Sequence, residues 1–238
     1  MTFMERALDR DRPQSIDDDV TLPRRQEYHP SPVDWRDEVL YFLLVDRFSD
    51  GRERDRNLLD RSKLPAARPD IRGMPWSWQL WAESGSSRWQ GGSLKGVQSK
   101  LGYLKSLGVT ALWLSPVFRQ RAHEGSYHGY GVQDFLDVDP RFGSRRDLTV
   151  LVAEAHKRGM RIILDIIFNH SGCNWLYPEE TPGGVYEAAY TADRYQFGSW
   201  RDRTGDALEH ISGHEDGVWP LELQDKESYT RAGSGNLG

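Results

Sequence analysis

One carboxylate interrupts the apolar run Ile162-Ile163-Leu164-Asp165-Ile166-Ile167-Phe168-Asn169-His170. Such a run is typical of a strand that is buried on both faces in a parallel sheet. An ionised Asp165 inside it is unfavourable unless the carboxylate is paired or hydrogen-bonded. Two interpretations stay open: Asp165 fixes neighbouring loops through hydrogen bonds, or it joins Asn169 and His170 in a polar site that reaches a ligand or a metal.

Two similar apolar runs precede this one, over 39–45 and over 109–114. A helical pattern at steps of three and four lies between them, and Gly108 is predicted to end that helix. Its apolar positions are Leu94, Val97, Leu101, Leu104 and Leu107. A second helix is predicted from the N-cap Ser144 to Gly159, with Asp147 in the capping-box position. The predicted order is therefore strand, helix, strand, helix, strand.

The loops after these strands are longer than the turns after the helices. Parallel strands with helical crossovers are typical of a doubly wound sheet or of a (β/α)₈ barrel, and periodicity does not separate the two. Both folds have their active sites at the carboxyl ends of the strands. The loop after the second strand contains Tyr127-His128-Gly129-Tyr130-Gly131, whose glycines allow sharp turns and bring His128 and Tyr130 near that end.

The composition limits the classes of partner. With 31 basic and 36 acidic residues the net charge is −5, which disfavours a nucleic-acid or anionic-membrane partner. No apolar stretch reaches the roughly 18–20 residues that a membrane helix needs, and residues 1–12 lack the apolar core of a secretory signal. The single cysteine, Cys173, fits a reducing compartment. We therefore predict a cytoplasmic protein.

Four ordered segments together resemble the α-amylase family, glycoside hydrolase family 13. The match extends over roughly 38–172, and its motifs are Asp-Arg-Phe-x-Asp-Gly at 46–51, Gly-Gly-x-x-x-Gly at 91–96, the loop from His128-Gly129-Tyr130 to Phe142-Gly143, and Asp-x-x-x-Asn-His at 165–170. The resemblance favours the barrel over the doubly wound sheet. It implies that Tyr130 stacks on the sugar at the cleavage subsite and that His170 hydrogen-bonds to that sugar. His128, which the loop glycines bring near the same end, is a further candidate for substrate binding.

The same resemblance implies roles for three further residues. Asp165 would hold an arginine of the next strand, and Asn169 would ligate a structural Ca²⁺, since an amide oxygen suits this hard cation. Some members of the family hold a second calcium in the first loop, where Asp50 lies here. Three arginines, Arg52, Arg54 and Arg56, crowd that loop and disfavour a cation at Asp50.

Three segments are predicted from these patterns. Residues 1–33 form a mobile tail, residues 34–170 form the N-terminal part of a (β/α)₈ glycosidase barrel, and residues 171–238 form part of a lobe inserted after strand three. The fold class is thus α/β, an incomplete barrel with its first three strands and two helices plus a partial lobe. A short strand is expected in the lobe over 218–223.

The predicted catalytic groups lie outside this arrangement. A full barrel takes about 250 residues, so too few follow Phe168 for five more strand–helix units. The resemblance implies that the nucleophile and the acid/base come from strands four and five, so no catalytic residue is predicted here. We expect the chain to be inactive alone, to expose barrel faces, and to need the missing C-terminal part of the barrel as a partner.

The leading hypothesis is a glycoside hydrolase or transglycosylase of this family, acting on the α-glucosidic bonds of an α-glucan or maltooligosaccharide. A second hypothesis is a non-catalytic sugar-binding or assembly fragment that needs a second chain to complete the barrel. A third is a metal-dependent hydrolase that uses the histidines and Asp165.

Overall fold

The structure is a computed structural model that describes residues 12–21, 27–55, 89–176 and 198–229. Its strands are β1 (Leu40–Leu43), β2 (Ala111–Leu114), β3 (Phe118–Gln120), β4 (Val132–Val138), β5 (Arg161–Leu164), β6 (Trp175–Leu176), β7 (Ser199–Arg201) and β8 (Ala207–Leu208). Its α-helices are α1 (Ile16–Asp19), α2 (Val45–Phe48), α3 (Leu94–Ser99), α4 (Leu101–Ser106) and α5 (Arg145–Lys157). Within these ranges no helix is long and apolar enough to cross a membrane.

β1, β2 and β5 form one parallel sheet in the order β1-β2-β5. The register pairs Leu43 with Leu114 and Leu114 with Leu164, so the carboxyl ends of the three strands lie at one edge. The parallel order of the three predicted strands is therefore confirmed. The loops that leave this edge carry the residues that the sequence selects as candidates.

The helices α3, α4 and α5 cover one face of the sheet and bury the apolar core. Its largest fully buried side chains include Leu94, Leu101, Leu104, Leu112, Leu114, Phe142, Leu151 and Met160. Burial of each such side chain contributes about 1.5–3 kcal/mol to the free energy of unfolding. This one-sided core fixes the strands whose carboxyl ends form the site.

The opposite face of the sheet is open to solvent in the described part of the chain. Leu40, Phe42 and Trp113 are 48, 46 and 38% exposed, and the rings of Phe42 and Trp113 meet edge to face at 5.1 Å. The prediction that the first two strands are buried on both faces is therefore wrong for these residues. The physical reason is that no element within the described ranges covers them.

The predicted first helix is divided into α3 and α4. The break lies at Lys100, whose N–H donates to the Val97 carbonyl three residues back at 3.0 Å and so tightens the turn. α4 ends at Ser106, and Gly108 has φ of 85°, the left-handed conformation predicted for the residue that ends the helix. One helix was therefore the wrong prediction, while its end is confirmed.

The second predicted helix, α5, has the predicted cap. The Ser144 hydroxyl accepts a hydrogen bond from the Asp147 N–H at 3.2 Å, and the Asp147 carboxylate accepts one from the Ser144 N–H at 3.0 Å. These reciprocal bonds satisfy donors that a helix start leaves open. The capping box is confirmed, with Asp where Glu or Gln is usual.

β5 ends at Leu164, earlier than the predicted end at Phe168. The Asp165 N–H donates the last hydrogen bond of this ladder to the Leu114 carbonyl at 3.2 Å. Beyond the end of β2, Pro116 has no N–H to donate to a further ladder bond. Asp165 therefore lies just beyond the strand, half-buried, instead of in its middle. This position corrects the expected site of the carboxylate.

Two smaller sheets follow in the loops. β3 and β4 form an antiparallel hairpin in the loop that follows β2, and β6, β7 and β8 form an antiparallel sheet in the lobe. The strand predicted over 218–223 is wrong, because Trp219 makes a single bridge to Asp134 and a 3₁₀ helix covers Leu221–Gln224. Pro220 between them cannot donate to a ladder.

Residues 12–20, here named the N-terminal strap, dock on the lobe. Arg12 pairs with the buried Asp134, and its guanidinium lies 5.0 Å above the Trp219 ring. The Glu222 carboxylate accepts hydrogen bonds from the Ser15 hydroxyl and from the Ile16 N–H at the start of α1. Paired charges and a helix cap thus connect the strap to the lobe, and the mobile tail over 1–33 stays a prediction. The three predicted segment boundaries stay a prediction.

Candidate functional site

Tyr130 lies where the loop after β2 meets the carboxyl end of β5. Its hydroxyl donates to Asp165 Oδ2 at 2.9 Å, and its carbonyl accepts from His170 Nε2 at 3.1 Å. Because a carbonyl oxygen only accepts, Nε2 of His170 carries the hydrogen of this bond. The structure thus brings together three of the residues selected from the sequence.

His128 packs against the same tyrosine. Its Nδ1 accepts a hydrogen bond from the Tyr130 N–H at 3.0 Å, and the two rings stack with centroids 5.7 Å apart. Burial lowers the pKa of His128, and the Glu124 carboxylate opposes this shift. The neutral imidazole therefore carries its hydrogen on Nε2, so that His128 is a hydrogen-bond donor there.

The electrostatics keep the Tyr130 hydroxyl protonated. Burial, and next the hydrogen bond and charge of Asp165, raise the pKa of Tyr130 above its ordinary value. A protonated phenol beside a carboxylate donates its hydrogen to that carboxylate. The site therefore combines the Tyr130 and His128 rings with hydrogen-bonding groups.

The loop after β1 is fixed by the buried Asp46. Its carboxylate accepts hydrogen bonds from the N–H groups of Gln90 at 2.9 Å and Gly91 at 3.0 Å. A Cβ on Gly96 would lie 1.8 Å from the Ser49 carbonyl oxygen, so α3 approaches this loop too closely for any side chain there. The Gly-Gly-x-x-x-Gly spacing is thus explained by close packing of the helix on the first loop.

Arg47 connects this first loop with the second. Its guanidinium carbon lies 3.8 Å from the Tyr127 ring centroid, and the Tyr127 ring meets His128 edge to face at 5.3 Å. The sequence analysis missed this contact. The sequence feature that could have indicated this contact is an arginine directly after the first strand, together with aromatic residues in the loop after the second strand.

Arg121, also missed, anchors the lobe below the site. Its side chain is buried and donates to the carbonyls of Cys173 and Asp202 and to Asn174 Oδ1, the last at 2.9 Å. Burial is the main cause that lowers the pKa of Arg121 to about 10. These bonds hold the chain that follows His170 against the hairpin.

The candidate calcium ligands do not form a cage in the described residues. Asn169 is exposed, and Asp50 Oδ1 accepts from the Arg52 N–H at 2.9 Å. No group of three or more His, Cys, Asp or Glu side chains that could hold a metal ion occurs in the ranges the structure describes. The residues present therefore do not fit a calcium site by themselves, and calcium at Asn169 or Asp50 stays a prediction.

The family model described as "Alpha amylase, catalytic domain" matches residues 42–234. The chain belongs to the alpha-amylase family. The resemblance of the four motifs is thereby confirmed, and the matched range begins within β1 and extends through the described lobe. The catalytic domain of this family implies a (β/α)₈ barrel.

Two curated members of the alpha-amylase family show the extent of the likeness. The periplasmic alpha-amylase of Escherichia coli K12 is 34% identical over 191 residues, which are 76% of this chain and 24% of that protein. Neopullulanase 2 of Thermoactinomyces vulgaris is 36% identical over 151 residues, 62% of this chain and 22% of that protein. The chain thus spans about a quarter of the length of these alpha-amylase-family relatives.

Solved structures of the alpha-amylase family show the same partial coverage. The alpha-amylase of Geobacillus thermoleovorans complexed with acarbose is 40% identical, with a TM-score of 0.43, over 60% of this chain and 25% of that chain. An Anoxybacillus alpha-amylase is 37% identical, with a TM-score of 0.45, over 60% of this chain and 26% of that chain.

Proposed function

We propose that this chain supplies the sugar-binding side of the active site of an alpha-amylase-family glycoside hydrolase or transglycosylase. Its substrate class is an α-glucan or maltooligosaccharide. The observation that carries the proposal is the contact of Tyr130 with Asp165 and His170 at the carboxyl edge of a parallel sheet. Membership of the family supports a carbohydrate substrate.

The proposed architecture follows from the sheet. β1, β2 and β5 are the first three strands of the barrel, and the chain after His170 begins a lobe inserted after the third. The parallel order of the strands and the single helical layer on one face support this assignment. The exposed rings of Phe42 and Trp113 then face the remaining part of the barrel.

The residues act on the sugar by contact and orientation. The Tyr130 ring offers a face on which the C–H groups of a pyranose stack, and Asp165 fixes that ring through the phenol hydrogen. Nε2–H of His128 donates to a sugar hydroxyl, and the His170 side chain hydrogen-bonds to another. Groups held by their neighbours in this way lose little conformational freedom on binding.

Cleavage itself requires two further carboxylates. Retaining glycosidases place a nucleophile and an acid/base about 5–5.5 Å apart. At this site the Asp165 carboxylate is committed to the Tyr130 hydroxyl. The role proposed for the described residues is therefore binding, and the role proposed for Asp165 is to orient Tyr130 and, with the next strand in place, an arginine.

Maltotriose binding to the purified 238-residue chain tests the proposal. Isothermal calorimetry should give a dissociation constant of about millimolar strength, and Tyr130→Ala should weaken binding at least about tenfold by removing the stacking face. Tyr103→Ala is the control, since Tyr103 is exposed on α4. Equal binding by the wild type and the Tyr130 variant would overturn the proposal.

A second candidate is the non-catalytic fragment that needs a partner chain, and the open face at Phe42 and Trp113 favours it. Maltooligosaccharide hydrolysis by the purified chain tests the inactivity that the second candidate requires. Appreciable turnover by the purified chain removes the second candidate and the expectation of an inactive chain. Binding without turnover supports it.

A further inference from the structure

The Arg47 side chain is held in place at the first loop. Its Nε lies 2.9 Å from Oδ2 of Asp46, which is buried and is itself held by the N–H groups of Gln90 and Gly91. The arginine side chain is 26% exposed, so most of its length lies against protein. Its guanidinium is therefore directed by the packing of the loop and not left to move freely in solvent.

The guanidinium contacts the first of three successive rings. It lies 3.8 Å above the Tyr127 ring, well within the roughly 6 Å at which a cation is attracted to an aromatic face. Tyr127 meets His128 edge to face at 5.3 Å, and His128 stacks on Tyr130 at 5.7 Å. These three rings are named the aromatic series.

The series ends on the residue that is proposed to stack on the sugar. Tyr130 is tied to His128 a second time, because its N–H donates to His128 Nδ1. A shift of the Tyr127 ring therefore changes both the burial of His128 and the backbone position of Tyr130. Arg47 can affect the position of Tyr130 in this way without contacting the sugar.

We propose that Arg47 is a positioning residue for the sugar site: its cation on Tyr127 fixes the aromatic series and thereby the orientation of His128 and Tyr130 toward an α-glucosyl ring. This inference rests on the proposed function for its ligand, while the contact itself is independent of any sugar. The alternative is that Arg47 only stabilises α2 through Asp46.

The test compares Arg47→Met, which keeps the aliphatic length, with Arg47→Lys, which keeps the charge. Arg158→Met is the matched control, because Arg158 pairs with Glu154 on α5. The first readout is the pKa of His128, measured by NMR titration of the 238-residue chain. It should rise toward the ordinary value in Arg47→Met, since burial is the main cause of its lowering, and should stay unchanged in Arg158→Met.

The second readout is the affinity for maltotriose. Loss of one partly buried cation–π contact should weaken binding about fivefold in Arg47→Met and less in Arg47→Lys. If the wild type binds no maltotriose, the proposed function fails, and the His128 titration still decides the role of Arg47. A His128 pKa in Arg47→Met equal to that of the wild type overturns the inference.

A double-mutant cycle keeps the inference testable if Arg47→Met proves unstable. Tyr127→Leu removes the aromatic partner of the same contact. The effects of Arg47→Lys and Tyr127→Leu should therefore not be additive, and the double variant should resemble Tyr127→Leu in both readouts. Additive effects would show that Arg47 acts through Asp46 alone and would overturn the inference.

Discussion

Gly129 brings the loop after β2 down onto the sheet. Its φ is 92°, and a Cβ there would lie 2.1 Å from the Pro116 carbonyl oxygen. We expect Gly129→Ala to lower the free energy of unfolding by roughly 2–4 kcal/mol, because a left-handed φ and a backbone clash act together. Urea denaturation measures this loss.

Gly102→Ala is the matched control for that substitution. Gly102 lies in α4, and an added Cβ would meet nothing within 4 Å, so alanine there should be neutral or stabilising. A loss at Gly129 no larger than that at Gly102 would contradict the close contact with Pro116.

The Tyr130 hydroxyl should ionise late. Burial first and Asp165 second raise its pKa above the ordinary value of 10.0. Since the folded pKa exceeds the unfolded one, the stabilising contribution is present below the unfolded value and is lost as the pH rises through the folded value. Tyrosinate absorbance should show a late phenol that is missing in Tyr130→Phe and that titrates earlier in Asp165→Asn, in addition to Tyr229, whose pKa burial also raises. A wild-type titration identical to that of the Phe variant would contradict this.

Among the elements, α5 was predictable because its signals are local. Ser144, Asp147 and Gly159 lie in or beside the helix they cap, so the sequence alone shows them. The division of α3 from α4 at Lys100, and the early end of β5 at Leu164, depend on neighbouring turns and on where a partner strand stops. Such features are set by tertiary structure and are invisible to periodicity.

The same distinction holds for the site. Tyr130 and His170 could be selected because each follows a predicted strand, and Asp165 because it is a charge inside an apolar run; parallel strands share their carboxyl edge. The contact between Arg47 and Tyr127 could not, since two long loops must meet before the cation finds the ring. The local sequence pattern therefore predicts which residues lie at the same site, whereas the packing of the loops determines which of their side chains are in contact.

The cap of α5 gives a prediction at the same scale. Ser144→Ala should lower the free energy of unfolding by about 1 kcal/mol, because the Asp147 N–H loses its acceptor. Thermal denaturation checks it, with Ser106→Ala on α4 as the control, where an exposed hydroxyl bonds only to the Gly102 carbonyl. Equal effects of the two substitutions would show that the cap is not formed.

For the whole molecule, the N-terminal strap predicts a response to acid. Burial acts to raise the pKa of Glu222, but hydrogen bonds from the Ser15 hydroxyl and from backbone N–H groups outweigh it and lower the pKa to about 2. A depressed pKa contributes stability above the unfolded value near 4.5, and the contribution is lost as the pH falls toward about 2. The strap should therefore detach within that interval.

This detachment can be measured by hydrogen exchange of residues 14–19 between pH 5 and pH 2. Glu222→Gln should leave the strap exchanging faster at pH 5 and remove most of its dependence on pH, while Glu227→Gln, in the next 3₁₀ helix, serves as the control. Protection that stays constant down to pH 2 in the wild type would contradict the role of Glu222.

The strap also sets an order of events during synthesis. Ser15 and Glu222 are separated by 207 positions along the chain, so α1 leaves the ribosome long before its capping carboxylate exists. Closing so long a loop carries an entropic penalty that nearer contacts do not. We infer that the parallel sheet and its helices form first and that the strap closes last. Protection of α1 would then mark the chains whose lobe has reached its final arrangement.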